Sequence, residues 1–182
     1  MKRLSVLSLA CLLTATAPPA ALAMPDVVIL VRHAEKAAAE AGNDPALSIA
    51  GQQRAQALAQ ALAGMRVDAI VTTQYQRTRA TAAPLAQSLG LQPQVIEARR
   101  GETPGHVQAV AEAVRARSGT VLVVGHSNTV TALLAALGGP KLPDLCETSF
   151  HHVFVLQPAA APLRWAQLSY GAPSGAPESG CL

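Results

Sequence analysis

Aromatic side chains are scarce in this 182-residue chain, which has one Trp, two Tyr and two Phe. Few flat platforms are therefore present on which bases or sugar rings could stack. Charge is also sparse, at 14% of residues, while 50% are hydrophobic; a chain of that balance buries a core, which excludes a disordered one. The formal net charge of +3 owes much to Lys2 and Arg3, without which twelve basic residues face eleven acidic ones. That balance offers little support for a nucleic-acid or membrane-surface role, which needs basic residues clustered on one face. No apolar run reaches the ~20 residues that a spanning helix requires. Cysteine is limited to Cys11, Cys146 and Cys181, and no repeat or interdomain linker is present.

Lys2-Arg3, a mostly apolar run from Leu4 to Leu13 and a small-residue stretch ending Ala21-Leu22-Ala23 follow the three-part order of a secretion signal. Cleavage is expected after Ala23, placing residues 24–182 in the periplasm or outside the cell, without stable membrane insertion. An uncleaved anchor is disfavoured by the short apolar run, and a lipid anchor on Cys11 by Ser8, where a branched apolar residue is wanted. Export leaves Cys146 and Cys181, and an oxidising compartment favours a disulfide tying the Gly/Pro/Ser-rich tail, from about residue 171, back to the domain.

Asp26 to Val31 reads as a buried strand that ends abruptly in Arg32-His33-Ala34-Glu35-Lys36, followed by a loop from Ala37 to Pro45. Ser48 is placed to cap a helix running to about Ala63. Strands are expected over Val67–Thr72, Gln94–Glu97 and Thr120–Val124. Helices are expected over Tyr75–Leu89 (kinked or divided at Pro84), Pro104–Arg117 and Thr129–Leu137, and a C-terminal edge hairpin over His151–Leu156 and Leu163–Tyr170. Such alternation predicts one domain, a three-layer α/β/α sandwich on a mainly parallel sheet, with its chemistry beyond the carboxyl ends of the strands.

Two strands empty into polar clusters, Arg32-His33 and Gly125-His126, and Arg77 opens the helix after a third strand. Two guanidiniums offer forked donors suited to a tetrahedral oxyanion. A phosphate held by Arg32, Arg77 and His126 presents its phosphorus to His33 for in-line attack, giving a phosphohistidine that water hydrolyses. No metal or cofactor is required, but the leaving alkoxide needs a proton. Glu97, Glu35 and Glu102 are candidates for that donor. Arg79 competes with Arg77, though on a helix it projects elsewhere. His106 reads as a surface residue, and His151 and His152 as pointing to opposite faces of a strand, unable to chelate one metal. Arg99-Arg100, beside the pocket, are candidates to hold a second anionic group, and Lys36 and Asn128 to line its rim.

Leu-Val-Arg-His-Ala-Glu-Lys, Thr-Thr-Gln-Tyr-Gln-Arg-Thr-Arg-Ala-Thr-Ala and Val-Val-Gly-His-Ser-Asn-Thr-Val resemble the three core motifs of the histidine phosphatase superfamily, in order and across nearly all of residues 24–182. The resemblance implies the phosphoglycerate mutase-like fold. It also implies that Arg32 and Arg77 bind phosphate, that His33 is the nucleophile and that His126 is the second histidine. Ala34 stands where Gly is common, as in a short Arg-His-Ala-Glu-Lys branch. The insertion that usually carries the acid is reduced to Glu97–Gly105, which favours an exported phosphomonoesterase over a mutase that must retain a bisphosphorylated intermediate. Two alternatives follow from the same residues: a non-catalytic binder of phosphate or a phospho-ligand, and a metal-dependent hydrolase on His33, Glu35 and His126.

Overall fold

The computed structural model describes residues 24–38, 44–175 and 178–182. The expected signal segment lies outside the described residues, as do the middle of the Ala37–Pro45 loop and Ala176-Pro177 of the tail.

The chain order is β1 (Val27–Arg32), α1 (Ile49–Ala61), β2 (Ala69–Thr72), α2 (Gln76–Leu89), β3 (Gln94–Val95), α3 (Thr103–Arg115), β4 (Thr120–Gly125), α4 (Ser127–Ala136), β5 (His152–Gln157) and β6 (Arg164–Ser169). The strands form one sheet in the order β3-β2-β4-β1-β5-β6. The first four run parallel, and β5 and β6 add an antiparallel hairpin at the edge. Alternate residues of the central strands face opposite ways. Val28, Leu30, Val121 and Val123 pack with Val110 and Val114 of α3 and Leu133 and Leu134 of α4. Ile29, Val31, Leu122 and Val124 pack on the other side with Leu58 of α1 and Leu85 of α2. The outcome is the expected three-layer sandwich.

The differences from the sequence expectations are local. Ser48 caps α1 as expected, its Oγ accepting from the Gly51 amide at 3.0 Å. α2 is a single helix despite Pro84, which lies well inside it. β3 is only two residues long: beyond it the Ile96 amide bonds the Thr72 carbonyl at 2.9 Å and the chain is held at Ala98 by the side-chain amide of Gln74. α4 starts two residues earlier than expected, so His126 is its N-cap and its amide donates to Thr129 Oγ1 at 2.9 Å. Cys146 and Cys181 form the expected disulfide, with Cα atoms 5.0 Å apart. Among the described residues no helix is long and apolar enough to cross a membrane.

Candidate active site

The site grows from the pairing of β1 with β4. Arg32 at the end of one strand lies opposite Gly125 at the end of the other, and the His33 amide donates to the Gly125 carbonyl at 2.9 Å. Beyond that point the chain leaves β1 for α1 on one face of the sheet and leaves β4 for α4 on the opposite face. Adjacent parallel strands whose connections diverge open a crevice at their carboxyl ends. Arg32-His33 and His126, remote in sequence, meet there.

Arg32 is only 1% exposed and is held from several sides. Nη1 donates to the carbonyls of Cys146 (2.7 Å) and Ser149 (3.1 Å), Nη2 donates to Glu147 Oε2 at 2.8 Å, and the guanidinium carbon lies 4.3 Å from the Phe150 ring centroid. A guanidinium fixed this way cannot retreat, so its remaining N–H groups are pre-oriented donors. The buried Nε atoms of Arg32 and Arg77 have no partner among the described residues. An unpaired buried N–H is open to an acceptor, and a tetrahedral oxyanion is one that suits guanidinium donors.

His33 is buried, and its Nδ1 lies 2.8 Å from the Ala34 carbonyl. A carbonyl only accepts, so Nδ1 carries the hydrogen and Nε2 keeps a free lone pair. Burial, with Arg32, His126 and Arg77 adding to it, pushes the imidazolium down to about 2, so the ring is neutral and nucleophilic at ordinary pH. His126 meets His33 edge to face with ring centroids 5.4 Å apart, and its Nε2 lies 3.1 Å from Thr73 Oγ1. Burial, then Arg77, lowers it to about 3. As N-cap of α4 it also stands at the positive end of a helix dipole, where an anion is stabilised.

Arg77 approaches from α2 with its guanidinium carbon 4.1 Å from the Tyr75 ring centroid and an ion pair to Asp44 at 3.5 Å. Arg77, Tyr75 and His126 line a cleft of about 450 Å³ together with Arg99, Arg100, His106 and Asn128. Three arginines and no carboxylate line it. Arg79 faces a separate hollow beside Leu91 and Val95.

None of the three acid candidates lines this cleft, which Arg32 and His33 adjoin through His126 rather than line. The Glu97 side chain is 67% exposed, pairs with Arg99 at 3.6 Å and lines a neighbouring hollow shared with Glu102. β3 ends at Val95, and the Glu97 carboxylate beyond it faces solvent. Glu35 is locked to Arg54 by three contacts of 2.7 to 2.9 Å. That engagement also removes Glu35 from a metal set with His33 and His126; among the described residues no three His, Cys, Asp or Glu side chains converge on one point.

Two histidine expectations need correction. His106 is buried rather than superficial, its Nδ1–H donating to the Glu97 carbonyl at 3.0 Å while the ring lines the cleft. His151 precedes β5 instead of belonging to it, so strand alternation does not apply, and its ring lies 4.1 Å from that of His152. Of the rim candidates, Asn128 lines the cleft and donates to Thr103 Oγ1 at 3.3 Å, and Lys36, whose backbone bridges to Leu47, places its charge within range of His126 and Glu147.

Glu147 was not among the sequence candidates. It sits in the connection from α4 to β5, which carries none of the three motifs, and its only sequence signal is its position next to Cys146.

Residues 28–100 match the model of the Histidine phosphatase superfamily (branch 1). A structure assigned as the phosphohistidine phosphatase SixA from Agrobacterium tumefaciens is 26% identical, with 82% of this chain and 100% of that chain covered and a TM-score of 0.61. The protein histidine phosphatase SixA complexed with tungstate is 18% identical, with coverage of 79% and 96% and a TM-score of 0.61. A mycobacterial glucosyl-3-phosphoglycerate phosphatase complexed with VO3 is 21% identical, with coverage of 81% and 99% and a TM-score of 0.54. The last two share the fold with this chain. No curated protein matches it significantly in sequence.

Proposed function

We propose that this chain is a member of the histidine phosphatase superfamily and an exported phosphomonoesterase that works without a cofactor through a phosphohistidine on His33. The observation that carries the reading is His33 itself. It is a buried, neutral imidazole with Nδ1 tied to a carbonyl and Nε2 free, beside two arginines with unpaired buried donors and a second neutral histidine.

In this reading Arg32 and Arg77 draw two phosphoryl oxygens toward the sheet, and His126, aided by the α4 dipole, takes a third. The phosphorus then faces His33 Nε2 in line with the leaving oxygen. Charge on the equatorial oxygens is met by donors that are already in place, so little reorganisation is needed at the transition state. The short Glu97–Gly105 segment leaves the cleft open, which suits hydrolysis better than retention of an intermediate for a mutase. The disulfide and the N-terminal signal pattern support export together.

The test is turnover of nitrophenyl phosphate in excess chelator, with a panel of alkyl, sugar and phosphohistidine substrates beside it. Activity is expected to persist under chelation and to fall at least ~1,000-fold in His33→Ala, as removal of a covalent nucleophile does. Dependence on added zinc or magnesium, or full activity in His33→Ala, contradicts the reading. Tight phosphate binding without turnover of any substrate favours the non-catalytic binder instead.

A further inference from the structure

We propose that Glu147 is the proton donor to the leaving oxygen and, in the second half-reaction, the base that accepts a proton from water. The assignment rests on the phosphomonoesterase reading above.

Position is the first argument. Oε2 of Glu147 lies 2.8 Å from Arg32 Nη2, and Oε1 accepts from Ser127 Oγ at 2.8 Å in the first turn of α4, next to His126. Arg32 is 1% exposed and Glu147 69%, so the carboxylate covers the guanidinium from the solvent side. In-line displacement by a buried His33 sends the leaving group away from the sheet, toward that same side. Of the carboxylates paired with the two phosphate-binding arginines, Glu147 is on Arg32 and Asp44 is on Arg77. Both Asp44 oxygens are also taken by the Gln76 amide, at 2.9 and 3.0 Å, as a clamp on the start of α2.

A second argument is that the backbone under Glu147 is fixed. Cys146 and Ser149, on either side of it, give their carbonyls to Arg32. The Ser149 amide bonds the Cys146 carbonyl at 2.9 Å, and the disulfide and the Leu182 carbonyl hold Cys146 to the chain end. A rigid base keeps the carboxyl group beside Arg32 and Ser127.

Charge supplies the proton at the right moment. At rest, burial pushes Glu147 up, but the Ser127 hydroxyl, Arg32 and Lys36 outweigh it and hold the carboxyl below its ordinary value. Arg77 is the further cation in range. A bound phosphate monoester competes for the same Arg32 nitrogen and sets a dianion beside the carboxylate. Two anions sharing a site raise the affinity of one for a proton, so binding draws one onto Glu147. His33 Nε2 then forms the N–P bond as the P–O bond breaks, and the leaving oxygen departs as an alcohol with the Glu147 proton. In the return step Glu147 takes a proton from the attacking water. The P–N bond breaks with its electrons returning to Nε2, and the acid is restored.

The experiment compares wild type, Glu147→Gln and Glu147→Asp on nitrophenyl phosphate and glycerol phosphate. In Glu147→Gln, kcat/KM for the alkyl ester is expected to drop ~100-fold or more while the aryl ester changes only a few-fold, because its leaving oxygen is already a weak base. Glu147→Asp is expected to recover part of the alkyl rate. Calorimetry with inorganic phosphate in two buffers of different ionisation heat is expected to show uptake of about one proton in wild type and none in Glu147→Gln. Retained aryl turnover shows that the variant is folded. Equal loss on both esters, no loss on either, or unchanged proton uptake overturns the assignment of Glu147. A wild type inert toward every ester contradicts the phosphatase reading itself, a separate result.

Discussion

The lone pair on His33 Nε2 exists because the Ala34 carbonyl claims the hydrogen of Nδ1, and it stays free because burial and neighbouring cations disfavour the imidazolium. The same environment makes a prediction for stability. His33 and His126 titrate near 2 and 3 in the fold but near 6.5 once unfolded, so between about pH 6.5 and 3 the unfolded chain binds more protons. Stability contributed by their neutral forms is therefore full above about 6.5 and is lost as pH falls through that window. Thermal unfolding from pH 7 to pH 4 is expected to show a falling midpoint, with a shallower fall in His33→Gln and His126→Asn; an unchanged slope in both variants contradicts these placements. Arg32, His33, Arg77 and His126 were legible in the sequence because each sits at the end of an apolar run or the start of a helix. Glu147 and His106 were not. Glu147 lies on an unpatterned connection, and the burial of His106 depends on how α3 leans over the cleft.

At the scale of elements, the strands were readable from runs of Val, Ile and Leu and the helices from their periodicity, while the boundaries shifted where side chains compete with backbone. Thr129 draws the start of α4 back to Ser127 by bonding the His126 amide, and this makes the histidine a cap instead of a loop residue. Gly51 has a similar hidden role. A Cβ there would come within 2.2 Å of the Glu35 carbonyl oxygen, so α1 packs against the strand β1 extension only because that position has no side chain. The segment between β3 and α3 brings Arg99 and Arg100 to the cleft wall. Replacing both by alanine is expected to raise KM about 3- to 10-fold for phosphomonoesters bearing an additional carboxylate or phosphate, in keeping with exposed charge pairs. Nitrophenyl phosphate is expected to change less than twofold, and the effect to shrink in high salt. Equal shifts for both substrates, compared by steady-state kinetics, would remove the two arginines from substrate recognition.

For the molecule as a whole, the strand order places the two motif-bearing strands side by side, with their helices on opposite faces. The active crevice is thus a consequence of topology before any side chain is chosen. Alternation of strand and helix was enough to expect that layout. The disulfide was expected from the surviving pair of cysteines, but its proximity to Arg32 was not, since only the folded path of residues 142–149 brings the tail against the site. The proposed function comes down to one chemical event, transfer of a phosphoryl group to His33. Rapid-quench mixing with a ³²P-labelled phosphomonoester tests it most directly. The account requires a phosphoenzyme that forms and decays at least as fast as turnover, is labile in acid and stable in base, and maps to the peptide containing His33. Turnover with no trapped phosphoenzyme, or label on any other residue, contradicts it.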